Sequence, residues 1–117
     1  MVAILLLLLA LPAESTSIVL SLQGETNLRT DFIEQLKREG AETGISIQVV
    51  ERSNAAREFE ILLAQESSMG GAAAAAIVVD RDGGVVTSVV RSGRLSAKGS
   101  LNACAKEIAK RLAVLRK

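Results

Sequence analysis

The sequence predicts an α/β domain in which helices cover a mostly parallel sheet, and three observations support this. Two strand-like segments, 17–23 and 45–51, flank a stretch with helical periodicity. The stretch AAAAAIVVDRDGGVVTSVV at 72–90 indicates two apolar strands joined by a tight turn. Hydrophobic residues make up 49% of the chain but aromatic residues only 2%, so aliphatic side chains and alanine must build the core.

The first half of the chain alternates strand and helix. Ser17 to Gln23 is the first predicted strand. A helix follows, with Asn27 or Thr30 as its N-cap and Gly44 as the preferred stop. The second predicted strand, 45–51, has one face less apolar than the other, which suits an edge position in the sheet.

The second half is predicted to contain a helix, a hairpin and a final helix. Ser53-Asn54 is expected to cap a helix whose apolar stripe is Ala55, Ala56, Phe59, Leu62 and Leu63, ending at Glu66. The latter part of the alanine run 72–76 opens the third strand. Either Asp82-Gly83 or Gly83-Gly84 supplies the positive φ angles of the hairpin turn. A loop at 91–100 precedes a helix that starts near Leu101, is capped by Ser100 and buries Cys104.

The predicted element order is therefore β-α-β-α-β-β-α. The simplest arrangement is a two-layer or three-layer sandwich around a four-stranded sheet of order 2-1-3-4, ending in a C-terminal β-hairpin and helix. This layout is loosely similar to small exported bacterial α/β modules, such as the amino-terminal domain of the TolB type. The similarity is one of element order alone, without a diagnostic motif, and no family is assigned from it.

The amino terminus resembles an export signal. Residues 2–11 are apolar without a break, which is the length of a signal-peptide core and too short to span a bilayer. We expect residues 1–13 to be a signal peptide, 14–117 to be one small domain without a transmembrane span, and the location to be periplasmic or secreted. No Lys or Arg precedes the apolar run, so a retained, uncleaved anchor is the alternative.

Composition excludes several classes of function. The chain has no histidine, which rules out Ser-His-Asp and Cys-His catalysis and histidine metal sites. Its single cysteine cannot form an intrachain disulfide. Aromatic stacking residues are nearly absent, so no nucleic-acid partner is expected. The segment DRDGG lacks the remaining positions of a calcium loop, and neither a metal nor a cofactor is predicted.

Candidate binding residues follow the strands. In a parallel sheet, ligands bind beyond the carboxyl ends of the strands. There the sequence places Glu25, Thr26, Asn27, Ser53, Asn54, Asp80 and Asp82. A second candidate is an anion site of Arg94, Lys98 and Ser100 in the segment 93–100. The alternative is that these residues are helix caps, turn residues and an ordinary loop, which favour the same residue types.

These features favour a non-catalytic binding or protein-interaction module of the bacterial envelope. Another envelope protein is the expected kind of partner, through an open sheet edge. The alternative is a small-ligand module that binds an anion or a nucleotide-like molecule at the carboxyl ends of the strands. An enzyme using carboxylates and a metal ranks last.

Overall fold

The computed structural model describes residues 16–24, 29–68, 71–94 and 97–115. Five strands and two helices follow one another as β1 (Thr16–Gln23), α1 (Arg29–Glu42), β2 (Ile45–Val50), β3 (Phe59–Ser68), β4 (Gly71–Asp80), β5 (Val85–Arg94) and α2 (Ala97–Leu115). The order is thus β-α-β-β-β-β-α. Neither of these two helices is long and apolar enough to cross a membrane.

The sheet is mixed, with the strand order β2-β1-β3-β4-β5. Strand β1 is parallel to both β2 and β3, whereas the pairs β3–β4 and β4–β5 are antiparallel. The α/β class and the hairpin are therefore as predicted. A four-stranded, mostly parallel sheet is wrong, because an additional strand, β3, lies between the first strand and the hairpin. The predicted order 2-1-3-4 survives among the other four strands.

The additional strand replaces the predicted second helix. In FEILLAQESS, both a helical stripe and a two-residue alternation are present. The structure selects the alternation: Ile61 is fully buried beneath the helices, and Glu60 lies on the opposite face. The segment pairs with β1 on one side and with β4 along its whole length on the other. Those two ladders outweigh the helical preference of residues such as leucine and glutamate.

The β2–β3 connection, residues 51–58, explains how two parallel strands can lie on either side of β1 without a helix between them. Strand β2 ends level with Ser21 of β1, since Val50 is its register partner. Strand β3 begins level with Leu20, whose partner is Phe59. Because β3 starts where β2 stops, the chain need only pass across β1 and does not return along the sheet.

Both helices lie on one face of the sheet, so the architecture has two layers. Helix α1 packs on β2 and on α2, and α2 packs on β3, β4 and β5. Among the described residues, the buried core between the layers is aliphatic apart from Phe32 and Cys104, and the partly buried Phe59 packs against it. Its largest fully buried members are Ile18, Leu20, Phe32, Leu36, Ile61, Val78, Val89, Leu101, Cys104, Ile108 and Leu112.

Two glycines shape helix α1: one allows the helix to approach β2 closely, and the other follows its C-terminal end. A Cβ atom at Gly40 would lie 2.9 Å from Cδ1 of Ile47, so glycine allows the helix to approach β2. Gly44 has φ of 86°, the left-handed conformation common just beyond a helix C-terminus. The predicted stop at Gly44 is confirmed, and β2 starts at the next residue and forms a sheet edge, as predicted.

Candidate functional site

The first predicted cluster is only partly described. Glu25, Thr26 and Asn27 lie outside the described residues. Ser53 and Asn54 are exposed in the β2–β3 connection. The Asn54 side-chain oxygen accepts a hydrogen bond from the backbone N–H of Ala56 at 2.8 Å. Asn54 therefore forms a local turn, as asparagine often does, and does not cap the predicted helix.

Asp80 organises the hairpin turn. Its Oδ1 accepts hydrogen bonds from the backbone N–H groups of Asp82 and Gly84, both at 2.9 Å. Gly83 has φ of 86°, which agrees with the predicted positive φ angle in this turn. Since β4 runs antiparallel to β3, its carboxyl end points in the direction opposite to the carboxyl ends of β1 and β2. The register places Asp80 level with the end of β2, but three strands away from it, and the turn that carries Asp82 extends towards the amino end of β1. Asp80 and Asp82 therefore do not join the residues that follow β1 and β2 in one cluster, contrary to the expectation from a parallel sheet.

The predicted anion loop is largely regular structure. Strand β5 continues to Arg94 and α2 begins at Ala97, so the loop at 91–100 and the start near Leu101 are wrong. Ser100 lies within the helix, fully buried, and its hydroxyl donates a hydrogen bond to the carbonyl of Ala72 at 3.2 Å. It fastens α2 to β4 and does not cap the helix. The side chains of Arg94 and Lys98 lie outside the described part of the structure.

A buried carboxylate marks a different place in the fold. Glu60 of β3 is only 5% exposed, although it lies on the sheet face that the helices do not cover. Its Oε2 contacts Nε of Arg52 at 3.3 Å and accepts a hydrogen bond from the Ser21 hydroxyl at 3.5 Å. Ser21 is also buried. The β2–β3 connection carries Arg52 and crosses β1 on this face, which accounts for the burial of both side chains.

The same connection is fastened to β1 by Glu58. Its backbone N–H donates to the carbonyl of Val19 at 2.8 Å, and its side-chain Oε2 accepts from the N–H of Val19 at 3.0 Å. The two bonds extend the ladder between β1 and β3 by one residue before β3 begins. The β2–β3 connection, which includes Arg52, is therefore held in a fixed position over β1.

A cleft of about 360 Å³ opens beside this cluster at the carboxyl end of β1. It is lined by Leu22, Gln23, Gly24, Arg29, Arg52 and Glu60. Arg29 lies at the start of α1, on the helix side of the sheet, whereas Arg52 comes from the opposite face. The described lining residues comprise two guanidinium groups and one carboxylate, which is an excess of one positive charge. This arrangement can bind an anion, since planar guanidinium groups match carboxylate and phosphate geometry.

Sequence reasoning named the carboxyl end of β1 but missed Arg29, Arg52 and Glu60 as a group. The available signal was the alternation of Phe59, Glu60 and Ile61, which as a strand puts one glutamate on the face opposite two apolar residues. That signal was hidden because the segment was assigned to a helix.

The two edge strands differ in how their backbones are protected. On β5, Nη1 of Arg111 donates to the carbonyl of Ser88 at 2.8 Å, and Nη1 of Arg91 donates to the carbonyl of Val90 at 3.0 Å. Glu107 of α2 pairs with both arginines, at 3.2 and 3.3 Å. Within the described ranges, no side chain bonds to the backbone of β2, and β2 contains no charged residue. Strand β2 is therefore the less protected edge.

Cys104 is a core residue, as predicted. Its thiol is fully buried and donates to the carbonyl of Ala74 at 3.5 Å. Burial raises the pKa of this thiol, and the charge and backbone N–H of the nearby Arg91 oppose the shift only in part. The neutral thiol is the stable form at ordinary pH, so Cys104 is not an activated nucleophile.

The described residues thus define a small two-layer α/β domain with a charged cleft at the carboxyl end of β1 and a less protected sheet edge at β2. They hold no group of three or more acidic, histidine or cysteine side chains that could bind a metal ion. No protein-family model matches the chain, and no curated protein matches it significantly.

Solved structures with a similar fold include a PelC dodecamer from Paraburkholderia phytofirmans that carries one leucine-to-methionine substitution. The two chains are 13% identical, the TM-score is 0.54, and the match covers 86% of this chain and 88% of PelC. At this level of identity, the similarity concerns the fold alone.

Proposed function

We propose that the protein is a non-catalytic interaction module of the bacterial envelope that associates with a second copy of itself through strand β2. The observation that carries the proposal is the contrast between the edges: arginines occupy two carbonyls of β5, whereas β2 offers an uncharged strand whose backbone no described side chain covers. Unpaired edge strands are templates for strand addition. The apolar run at residues 2–11 supports an exported location.

An uncharged strand is what self-association requires, because two copies bring identical charges together. Pairing of β2 with its own copy about a twofold axis is antiparallel, and opposite residues must lie on the same face of the joint sheet. A register centred on Ile47 meets this condition. It places Ile45 opposite Val49 of the second copy on the helix side, and Ser46 opposite Gln48 on the other. The same operation at β5 would bring the Arg91 side chains towards one another.

The PelC structure of similar fold is a dodecamer. Self-association is therefore compatible with this architecture, but the argument for the present chain depends on its own β2 edge and not on the PelC assembly.

Two exposed serines on the edge strands provide a matched test. Ser46 on β2 and Ser88 on β5 both lie on the uncovered face of the sheet. Ser46→Lys places a charge at the proposed interface, whereas Ser88→Lys adds the same charge at the other edge. We expect light scattering after size-exclusion chromatography to show a dimer for the unmodified protein and for Ser88→Lys, and a monomer for Ser46→Lys. A monomeric unmodified protein, or a Ser46→Lys dimer, contradicts the proposal.

A second candidate function is supported by a separate observation. The cleft at the carboxyl end of β1 lies where a small-ligand module would bind its ligand, since the chain leaves β1 towards β2 on one side and later pairs β3 on the other. Its volume of about 360 Å³ falls within the usual range for small-molecule pockets. A binding screen with inorganic phosphate, small carboxylates and nucleotides tests this function, and no binding by any of them argues against it.

A further inference from the structure

We infer that this cleft binds the carboxylate or phosphate group of a small molecule through Arg29 and Arg52, with Glu60 holding the Arg52 guanidinium in position. The inference deepens the second candidate function and rests on it, and it is independent of association through β2. The three residues come from α1, the β2–β3 connection and β3, and only the folded chain brings them together.

The geometry of Arg52 leaves its outer nitrogens available. Nε of Arg52 contacts Oε2 of Glu60, and the Arg52 guanidinium forms no further ion pair with a residue that the structure describes. The Arg52 side chain is 72% exposed, whereas the Glu60 side chain is 7% exposed. The carboxylate is thus a fixed, buried anchor behind an accessible guanidinium. The two Nη groups remain free to donate in parallel to two oxygens of one anion, which is the strongest form of such recognition.

Glu60 also explains why Arg52 stays at the cleft. A carboxylate buried without a cation is costly, so the folded protein retains Arg52 above Glu60. An unanchored arginine in an exposed connection would lose side-chain entropy on binding a ligand, and the ion pair removes part of that cost beforehand. The pair therefore preorganises the binding group and does not simply neutralise it.

Arg29 supplies the second cation from the other side of β1. It is exposed at the start of α1, and no ion pair joins it to any residue that the structure describes. Among the lining residues that the structure describes, Glu60 balances one arginine, and one positive charge is left without a partner. A small anion restores neutrality without burying an unpaired charge. Gln23 lines the same cleft and adds an amide that can donate to a neutral oxygen of the ligand.

Isothermal titration with inorganic phosphate and with succinate tests the inference. The variants are Arg29→Gln and the double variant Arg52→Gln/Glu60→Gln, which removes the anchor together with its partner so that no charge is left buried. Arg81→Gln is the control, since Arg81 is an exposed arginine in the hairpin turn, outside the cleft. We expect the unmodified protein and the control to bind at least one probe. Each cleft variant should bind that probe with an affinity at least about tenfold lower.

The possible outcomes distinguish an incorrect binding site from an incorrect small-ligand function. If a probe binds and neither cleft variant weakens it, the site is wrong while the small-ligand function stands. If no probe binds the unmodified protein, both the site and that function are wrong. Thermal unfolding of the double variant, compared with the unmodified protein, shows whether any loss of binding reflects a loss of folding.

Discussion

Replacing Ile61 and Leu62 separately by alanine distinguishes a strand from a helix at residues 59–68. Each change removes three carbons, so the two variants differ only in where the side chain lies. Ile61 is fully buried and Leu62 is partly exposed on the opposite face. At about 0.8 kcal/mol for each buried methylene, Ile61→Ala loses about 2.4 kcal/mol, and the residual cavity raises this to about 3–4 kcal/mol. Leu62→Ala should cost about 1 kcal/mol.

A helix in this segment gives the reverse result, since its apolar stripe contains Leu62 and excludes Ile61. The measurement is urea unfolding followed by far-ultraviolet circular dichroism, because the chain has neither tryptophan nor tyrosine for fluorescence. The unfolding slopes of the two variants must agree with that of the unmodified protein for the free energies to be compared. A loss for Leu62→Ala equal to or greater than that for Ile61→Ala refutes the five-stranded sheet.

Three further predictions test individual contacts. Gly24→Ala should lower the free energy of unfolding by about 1–3 kcal/mol, measured in the same way, because its Cβ would lie 2.9 Å from Cβ of Leu63. Asp80→Ala should cost about 1–3 kcal/mol since two backbone N–H groups lose their acceptor, whereas exposed Asp82→Ala should change stability by less than about 0.5 kcal/mol. Burial raises the pKa of Cys104, so the folded state favours the neutral thiol, and stability should fall as pH rises above about 8.5, where the unfolded thiol ionises. That part of the pH dependence should be absent from Cys104→Ala, and its persistence would mean that another group causes it.

Sequence patterns predicted the elements whose signals are local. The first two strands, the helix between them and the hairpin are each bounded by a glycine or a turn, and the structure retains them. Strand β3 was not predictable in this way, because FEILLAQESS satisfies both periodicities. The choice depends on β1 and β4, which each pair along one edge with this segment. Tertiary pairing therefore decided the structure where local preference was ambiguous.

The same distinction applies to the candidate site, where local turn residues could be predicted and contacts made by the fold could not. Asp80 and Asn54 were recognisable as turn-forming types, and the structure places both in turns. The partnership of Arg52 with Glu60 could not be predicted, since it requires knowing that residues 51–58 pass across β1. Ser100 was expected to cap the last helix, but the helix starts earlier, at Ala97, and the serine binds a strand carbonyl instead.

The β2–β3 connection accounts for three features that otherwise look unrelated. By starting β3 level with the end of β2, it removes the need for a second crossover helix, and one face of the sheet is left without a helical layer. By crossing β1 on that uncovered face, it buries Ser21 and Glu60 where a solvated surface would be expected. By carrying Arg52, it supplies the cation that the buried carboxylate requires, and it opens the cleft between this segment and the start of α1. The charged cleft thus results from the same topology that makes the sheet mixed and not parallel. Shortening the connection should therefore remove both the cleft and the pairing of β3 with β1.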